Sequence, residues 1–156
     1  MPAKLSEDLY HIRGSFGSNI YVITDGGLTL VDGGFPMDLP AIHLAFRALG
    51  ASPRDIDLVI ATHYHGDHTG TFAGLQKRYG VRSAMHREDA AYASAQCPQE
   101  TTDVPFFTLL FYTLLWPLFR YRHFQPDRHL EEGEGGRQAE SSAHELKIGA
   151  HTGKFK

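Results

Sequence analysis

Cysteine is nearly missing from this chain. Cys97 is the single one in 156 residues, so no internal disulfide can form and no thiolate cluster can hold zinc. Any bound metal must rest on histidine and carboxylate. Basic runs are missing too: 15 Lys and Arg stand against 18 Asp and Glu, a formal charge of −3, which leaves no footprint for a phosphate backbone and excludes nucleic acid as the main ligand. Long hydrophobic runs are also lacking. The nearest approach, "VPFFTLLFYTLLWPLF" at 104–119, is uncharged over 16 residues, short of the roughly 20 a bilayer span needs, and Pro117 interrupts it. It reads either as a buried or lid-forming helix or as a helix for a membrane surface or a partner. The start "MPAKLSEDLYHIRG" carries Lys4, Glu7, Asp8 and Arg13 and no apolar core, so no secretory signal is expected and the cytoplasm is the expected location.

What is present suits one folded domain: 42% hydrophobic and 21% charged residues can bury a core. "NIYVIT" and "LTLVD" flank Asp25-Gly26-Gly27 and predict a hairpin within a strand region at 9–32. The period then changes. From Asp38, read as an N-cap, Ile42, Phe46 and Leu49 recur at helical spacing until Gly50. "SPRD" places Ser52 to cap a single turn with Pro53 at its first position, and the short run Leu58-Val59-Ile60 predicts a strand buried on both faces. Phe72, Leu75 and Tyr79 predict a helix closed by Gly80, "VRSAM" a strand and "HREDAAYASA" a helix. Strands alternating with helices indicate a layered α/β architecture. After residue 131, "EEGEGGRQAESSAHE" has nothing large and apolar to bury and reads as linker, with Leu146 and Ile148 hinting at a strand beyond it.

Between the buried strand and the next helix lies "ATHYHGDHTG", residues 61–70, with three histidines and an aspartate in six positions. Histidine and aspartate each occur 10 times in 156 residues, so chance gives this pattern on the order of 0.003 times per chain of this length. A strand end places alternate side chains on one face, so His63 and His65 are expected to share a cation. Gly66 would then turn the chain and bring Asp67 and His68 to a second site nearby. Such donors suit Zn²⁺, with Fe or Mn open because no thiolate selects between them. His11, His43 and His86 stand alone within elements and read as solvated or hydrogen-bonded, while His123 and His129 sit among Arg120, Arg122 and Arg128 as a polar surface.

These residues carry a family resemblance. "THYHGDH" matches the H-x-H-x-D-H signature of the metallo-β-lactamase superfamily, and with "SNIYVITDGGLTLVDGG" and "DIDLVIATHYHGDHTG" the chain resembles the N-terminal half of its glyoxalase II-like metallohydrolases over roughly residues 5–134. The resemblance implies an αββα sandwich with metals at the edge between two sheets. It implies one or two zinc ions, His63 and His65 on the first and Asp67 and His68 on the second, with Asp67 also catalytic by orienting a metal-bound hydroxide and assisting proton transfer. Asp32, in "LVDGG", matches an aspartate that supports the metal loop from behind; on its own chemistry it could equally cap the Gly33-Gly34 turn. The activity implied is hydrolysis of an ester-like small molecule, a thioester, lactone or β-lactam. A mononuclear iron dioxygenase of the same superfamily and a non-catalytic, truncated metal-binding relative are the alternatives.

The likeness weakens toward the end of the chain. "ELKIGAHTGKFK" only faintly matches the family's H-T-P-G-H, leaving His151, and more weakly His144, as third-ligand candidates, while the family's bridging Asp and final His have no counterpart. The expectation is therefore residues 1–134 as the family's N-terminal portion, 135–156 as a divergent tail altered or cut after Glu134, for example by a frameshift, and a second half of the sandwich that is incomplete. An incomplete sheet would expose edges and apolar surface, and poor solubility or dimerisation would follow.

Overall fold

The computed structural model describes residues 1–94 and 122–131. The 104–119 segment, Cys97, Arg120, His144, His151 and the 135–156 tail lie outside the described residues. Seven strands form one sheet among the described residues: β1 (Ala3–Lys4), β2 (Leu9–Arg13), β3 (Asn19–Ile23), β4 (Thr29–Val31), β5 (Leu58–Ile60), β6 (Arg82–His86) and β7 (Arg128–Leu130). They lie side by side in chain order, antiparallel from β1 to β4 and parallel from β4 to β7. The switch follows from the connections. The β3–β4 pair is a hairpin with Ile23 opposite Thr29, whereas each later pair needs a crossover long enough to hold a helix.

Those helices are α1 (Leu39–Ala48), α2 (Gly66–Thr69), α3 (Phe72–Tyr79) and α4 (Arg87–Ala93). Their apolar stripes meet alternate strand residues in the main core: Ile42 and Phe46 of α1, Phe72 and Leu75 of α3, and Ala90 and Ala93 of α4 pack with Ile20, Val22, Leu30, Val59 and Met85. A smaller cluster of Leu58 and Ala84, with Ile60 and Leu130 against it, lies on the other side of the strands. Leu58 and Val59 are both buried, so β5 is covered on both faces as its unbroken apolar run predicts. Gly80 ends α3 in the left-handed region at φ 69, where a side chain would strain the turn. No helix of the described residues is long and apolar enough to cross a membrane.

Asp38 stands at the N-cap position of α1 as expected but does not cap it with its side chain. A 3-10 turn, Pro36–Asp38, precedes α1, so Asp38 already has helical dihedrals and its side chain makes no cap bond to α1. Its buried carboxylate accepts instead from Phe35 N at 2.8 Å, Ser15 N at 2.7 Å, Ser15 Oγ at 2.6 Å and Ser18 Oγ at 3.3 Å. It ties the β2–β3 turn to the start of α1. Ser52 does cap its turn as predicted, accepting from Arg54 N while Asp55 accepts from Ser52 N.

Parallel strands end together. Val31, Ile60 and His86 finish β4, β5 and β6 on one edge, and the segments that leave them carry Asp32, the histidine cluster and α4. Ligand sites of parallel sheets gather outside such carboxyl ends.

Candidate metal centre

The histidine cluster begins after its strand has ended. β5 stops at Ile60, and residues 61–65 are irregular, so strand pleating is not what brings His63 and His65 together. Their rings still meet, with centroids 4.7 Å apart, because the loop turns back on itself. Gly66 does not make the expected sharp turn. It opens the short α2 with ordinary helical geometry, and that turn of helix lifts Asp67 and His68 beside the pair. His63 and His68 rings lie 3.9 Å apart, closer than the 4.7 Å between His63 and His65.

Asp32 organises this group. Its Oδ1 accepts from Thr62 N at 2.8 Å, Thr62 Oγ1 lies 2.9–3.0 Å from both carboxylate oxygens, and Oδ2 accepts from His68 Nδ1 at 2.8 Å. A carboxylate only accepts, so His68 turns a protonated Nδ1 to it, and in the neutral ring the lone pair then lies on Nε2. His63 is fixed at one remove. Thr62 gives its single hydroxyl proton to Asp32, so its oxygen accepts from His63 Nδ1 at 3.1 Å and leaves the His63 Nε2 lone pair outward. Asp32 is 4% exposed and sits in the left-handed region at φ 58, a conformation that costs a non-glycine residue about 1–2 kcal/mol. Of its two open readings, the support for the loop is the one its contacts realise.

Electrostatics keep the cluster ready for a cation. Burial lowers the His63 imidazole below its ordinary 6.5, and the imidazoles of His68 and His65 push the same way, against the carboxylates of Asp32 and Asp67. At neutral pH His63 therefore stays uncharged. His68 Nε2 faces Asp67 Oδ2 at 3.4 Å, which sets two electron-rich atoms against each other unless a proton or a cation lies between them. Imidazole nitrogen beside carboxylate oxygen is the donor chemistry of a divalent metal such as zinc, and in kind these residues fit it. Among the described residues, however, no three His, Cys, Asp or Glu side chains already form a cage for an ion.

Three contributors were not singled out in the sequence. Thr62 relays Asp32 to His63; its only signal is that it precedes the histidine pair. Thr69, fully buried, donates from Oγ1 to Tyr64 O at 3.0 Å and His65 O at 3.1 Å. Asp89, on α4, accepts from Tyr64 N at 3.2 Å. The other histidines behave as expected: His11 bonds Asn19, His43 bonds the Tyr79 hydroxyl at 2.6 Å, His86 accepts from Glu88 N, and His123 contacts Ala93 O.

A family model described as the metallo-β-lactamase superfamily matches residues 13–153, most of the chain. The chain belongs to the metallo-β-lactamase superfamily. Solved members share its fold. The subclass B3 metallo-β-lactamase BJP-1 of Bradyrhizobium japonicum superposes with a TM-score of 0.65 at 27% identity, over 85% of this chain and 46% of that one. GOB-18 of Elizabethkingia meningoseptica gives 0.65 at 21% identity over 83% and 44%. The di-zinc class B3 enzyme LRA-12 from an Alaskan soil metagenome gives 0.65 at 22% over 83% and 45%. The superfamily chain described here thus spans less than half the length of these relatives, and its strands and helices correspond to part of their metallo-β-lactamase fold.

Proposed function

We propose that this chain carries metal ligands of a metal-dependent hydrolase, with His63, His65, Asp67 and His68 as donors and an ester-like small molecule as substrate. The observation that carries this reading is the grouping around Asp32: one buried carboxylate holds His68 directly and His63 through Thr62, and His68 Nε2 faces Asp67 Oδ2 at 3.4 Å. Family membership and the likeness to subclass B3 β-lactamases support hydrolysis as the reaction class.

When bound, a divalent cation supplies two things, a lowered pKa for water and a polarised carbonyl oxygen. The protein's residues do the rest. The His63 and His68 rings are already held by Thr62 and Asp32, so they need little reorganisation on binding. Asp67 is 42% exposed, beside His68 Nε2, and its carboxylate can accept a proton at Oδ as a nucleophilic water reacts. Zinc fits the donor set best, with iron or manganese as the competing outcomes. A β-lactam, a lactone and a thioester all present the carbonyl that this chemistry attacks.

The test pairs metal content with turnover. Protein purified without chelator or affinity nickel is assayed by plasma mass spectrometry and against a β-lactam, an acyl lactone and an S-acyl thioester, with His65→Ala beside it. Bound metal and hydrolysis of one substrate, both lost in the variant, are expected. Turnover that survives in His65→Ala overturns the assignment, as does a wild-type chain that takes up no metal.

A further inference from the structure

Asp32 grips the metal loop at its two ends, Thr62 and His68, but the residue between the paired histidines is held from elsewhere. Tyr64 donates its N–H to Asp89 Oδ1 at 3.2 Å. Its carbonyl accepts from Thr69, and its ring stacks on Tyr92 with centroids 4.6 Å apart and planes 16° from parallel. The same ring meets His65 at 4.7 Å. Asp89 and Tyr92 are three residues apart on α4 and so share one face of it, the face turned to the loop.

α4 is well placed to act as a fixed wall. It follows β6 without a break, His86 caps its start, and Ala90 and Ala93 anchor it in the core. A carboxylate in a first helical turn is favourable on dipole grounds alone, so Asp89 could serve its own helix. Its hydrogen bond goes instead to an amide 25 positions earlier in the chain. That bond lands on the one amide that separates His63 from His65.

We propose that α4 is a second support of the metal loop, opposite Asp32, and that Asp89 is a positioning residue which sets the mutual orientation of the His63 and His65 rings through the Tyr64 amide, with Tyr92 holding the Tyr64 ring. For the imidazole geometry this stands alone; its consequence for metal binding rests on the reading above.

The experiment uses the full chain as wild type, Asp89→Ala, Asp89→Asn and Ser94→Ala. Ser94 donates to Ala90 O at 2.8 Å and Ala91 O at 3.2 Å at the far end of α4, so its loss loosens the helix without touching the loop. Metal-free protein is read first, by NMR exchange of the Tyr64 amide and the ring signals of His63 and His65. Asp89→Ala should speed that exchange about tenfold and move both sets of ring signals, Asp89→Asn should restore most of the difference because Oδ1 remains an acceptor, and Ser94→Ala should resemble wild type. Zinc affinity, read next by competition with a chromophoric chelator, should fall about tenfold in Asp89→Ala, the lower range for groups that orient ligands. Ring signals and Tyr64 exchange unchanged in Asp89→Ala overturn the proposal. If that variant does not fold, Tyr92→Leu replaces it: shifted His65 ring signals support the role of α4, and unshifted ones overturn it. A wild type that binds no zinc removes the metal reading but leaves the ring measurements decisive for Asp89.

Discussion

Replacing Asp32 with Asn isolates what its charge does, because the structure dictates how the amide must sit. Thr62 N donates to Oδ1 at 2.8 Å, so the Asn oxygen has to stay there and the NH₂ group takes the place of Oδ2. That group then faces His68 Nδ1, at the position where the carboxylate oxygen accepts at 2.8 Å. An amide NH₂ donates, so Nδ1 must become the acceptor and the proton moves to Nε2, the nitrogen a metal needs. The fold should survive, since Asn tolerates φ 58 at least as well as Asp and the Thr62 amide remains satisfied. A loss of about 1–2 kcal/mol in stability is expected from weakening one charge-assisted bond. Zinc affinity should fall 10–100-fold, equivalent to about 1.4–2.7 kcal/mol. Thermal denaturation checks the first figure, chelator competition the second, and long-range proton–nitrogen NMR reads the tautomer directly. Asp32→Asn protein that binds zinc like wild type, with His68 still protonated on Nδ1, refutes the reasoning.

Two further outcomes follow from the same site. A Cβ added at Gly70 would lie 2.5 Å from Gly66 O and from Pro36 N and Cδ, so Gly70→Ala must push α2 away from the Gly34–Pro36 turn; a loss of about 1–3 kcal/mol and a melting point several degrees lower are expected, and an unchanged melting curve would deny that the packing is this close. In metal-free protein, His63 binds its proton less tightly folded than unfolded, so the unfolded chain takes up more protons between the lowered folded value and about 6.5; this contribution to stability is complete above about 6.5 and is lost as pH falls through that window. Denaturant titrations at stepped pH, wild type against His63→Ala, should show a steeper loss of stability below about 6.5 in the wild type.

The main elements were legible because they are long enough to show a period or a stop signal. Ile42, Phe46 and Gly50 announce α1, Phe72, Leu75 and Gly80 announce α3, and the Asp25-Gly26-Gly27 turn announces the hairpin. β1, β7 and α2 are about as short as β4 and β5 but have neither an unbroken apolar run nor a flanking turn signal, and were not predicted. Asp38 took its N-cap position, but that its carboxylate turns to Ser15, Ser18 and Phe35 instead of α1 is invisible in spacing. At the site, the donors His63, His65, Asp67 and His68 could be named because they crowd within six positions. Their supports could not, since Thr62 reaches back 30 residues to Asp32 and Tyr64 reaches forward 25 to Asp89. Such pairs exist only once β4, β5 and β6 end on the same edge.

The cost of Asp32 is itself informative about what the cluster is for. A buried carboxylate forfeits hydration, and its left-handed backbone adds about 1–2 kcal/mol, so a residue serving only the turn would do better as Gly or Asn. Gly removes the strain and Asn satisfies the Thr62 amide. Neither can accept at once from Thr62 N, Thr62 Oγ1 and His68 Nδ1, because that takes lone pairs on both oxygens and a donor on neither. The one property that requires aspartate here is control over which nitrogen of His68, and through Thr62 of His63, carries the proton. An acceptor turned to Nδ1 of His68, leaving Nε2 beside Asp67, is the arrangement in which the proposed cation would find its donors, and it supports that proposal more than the density of histidines does.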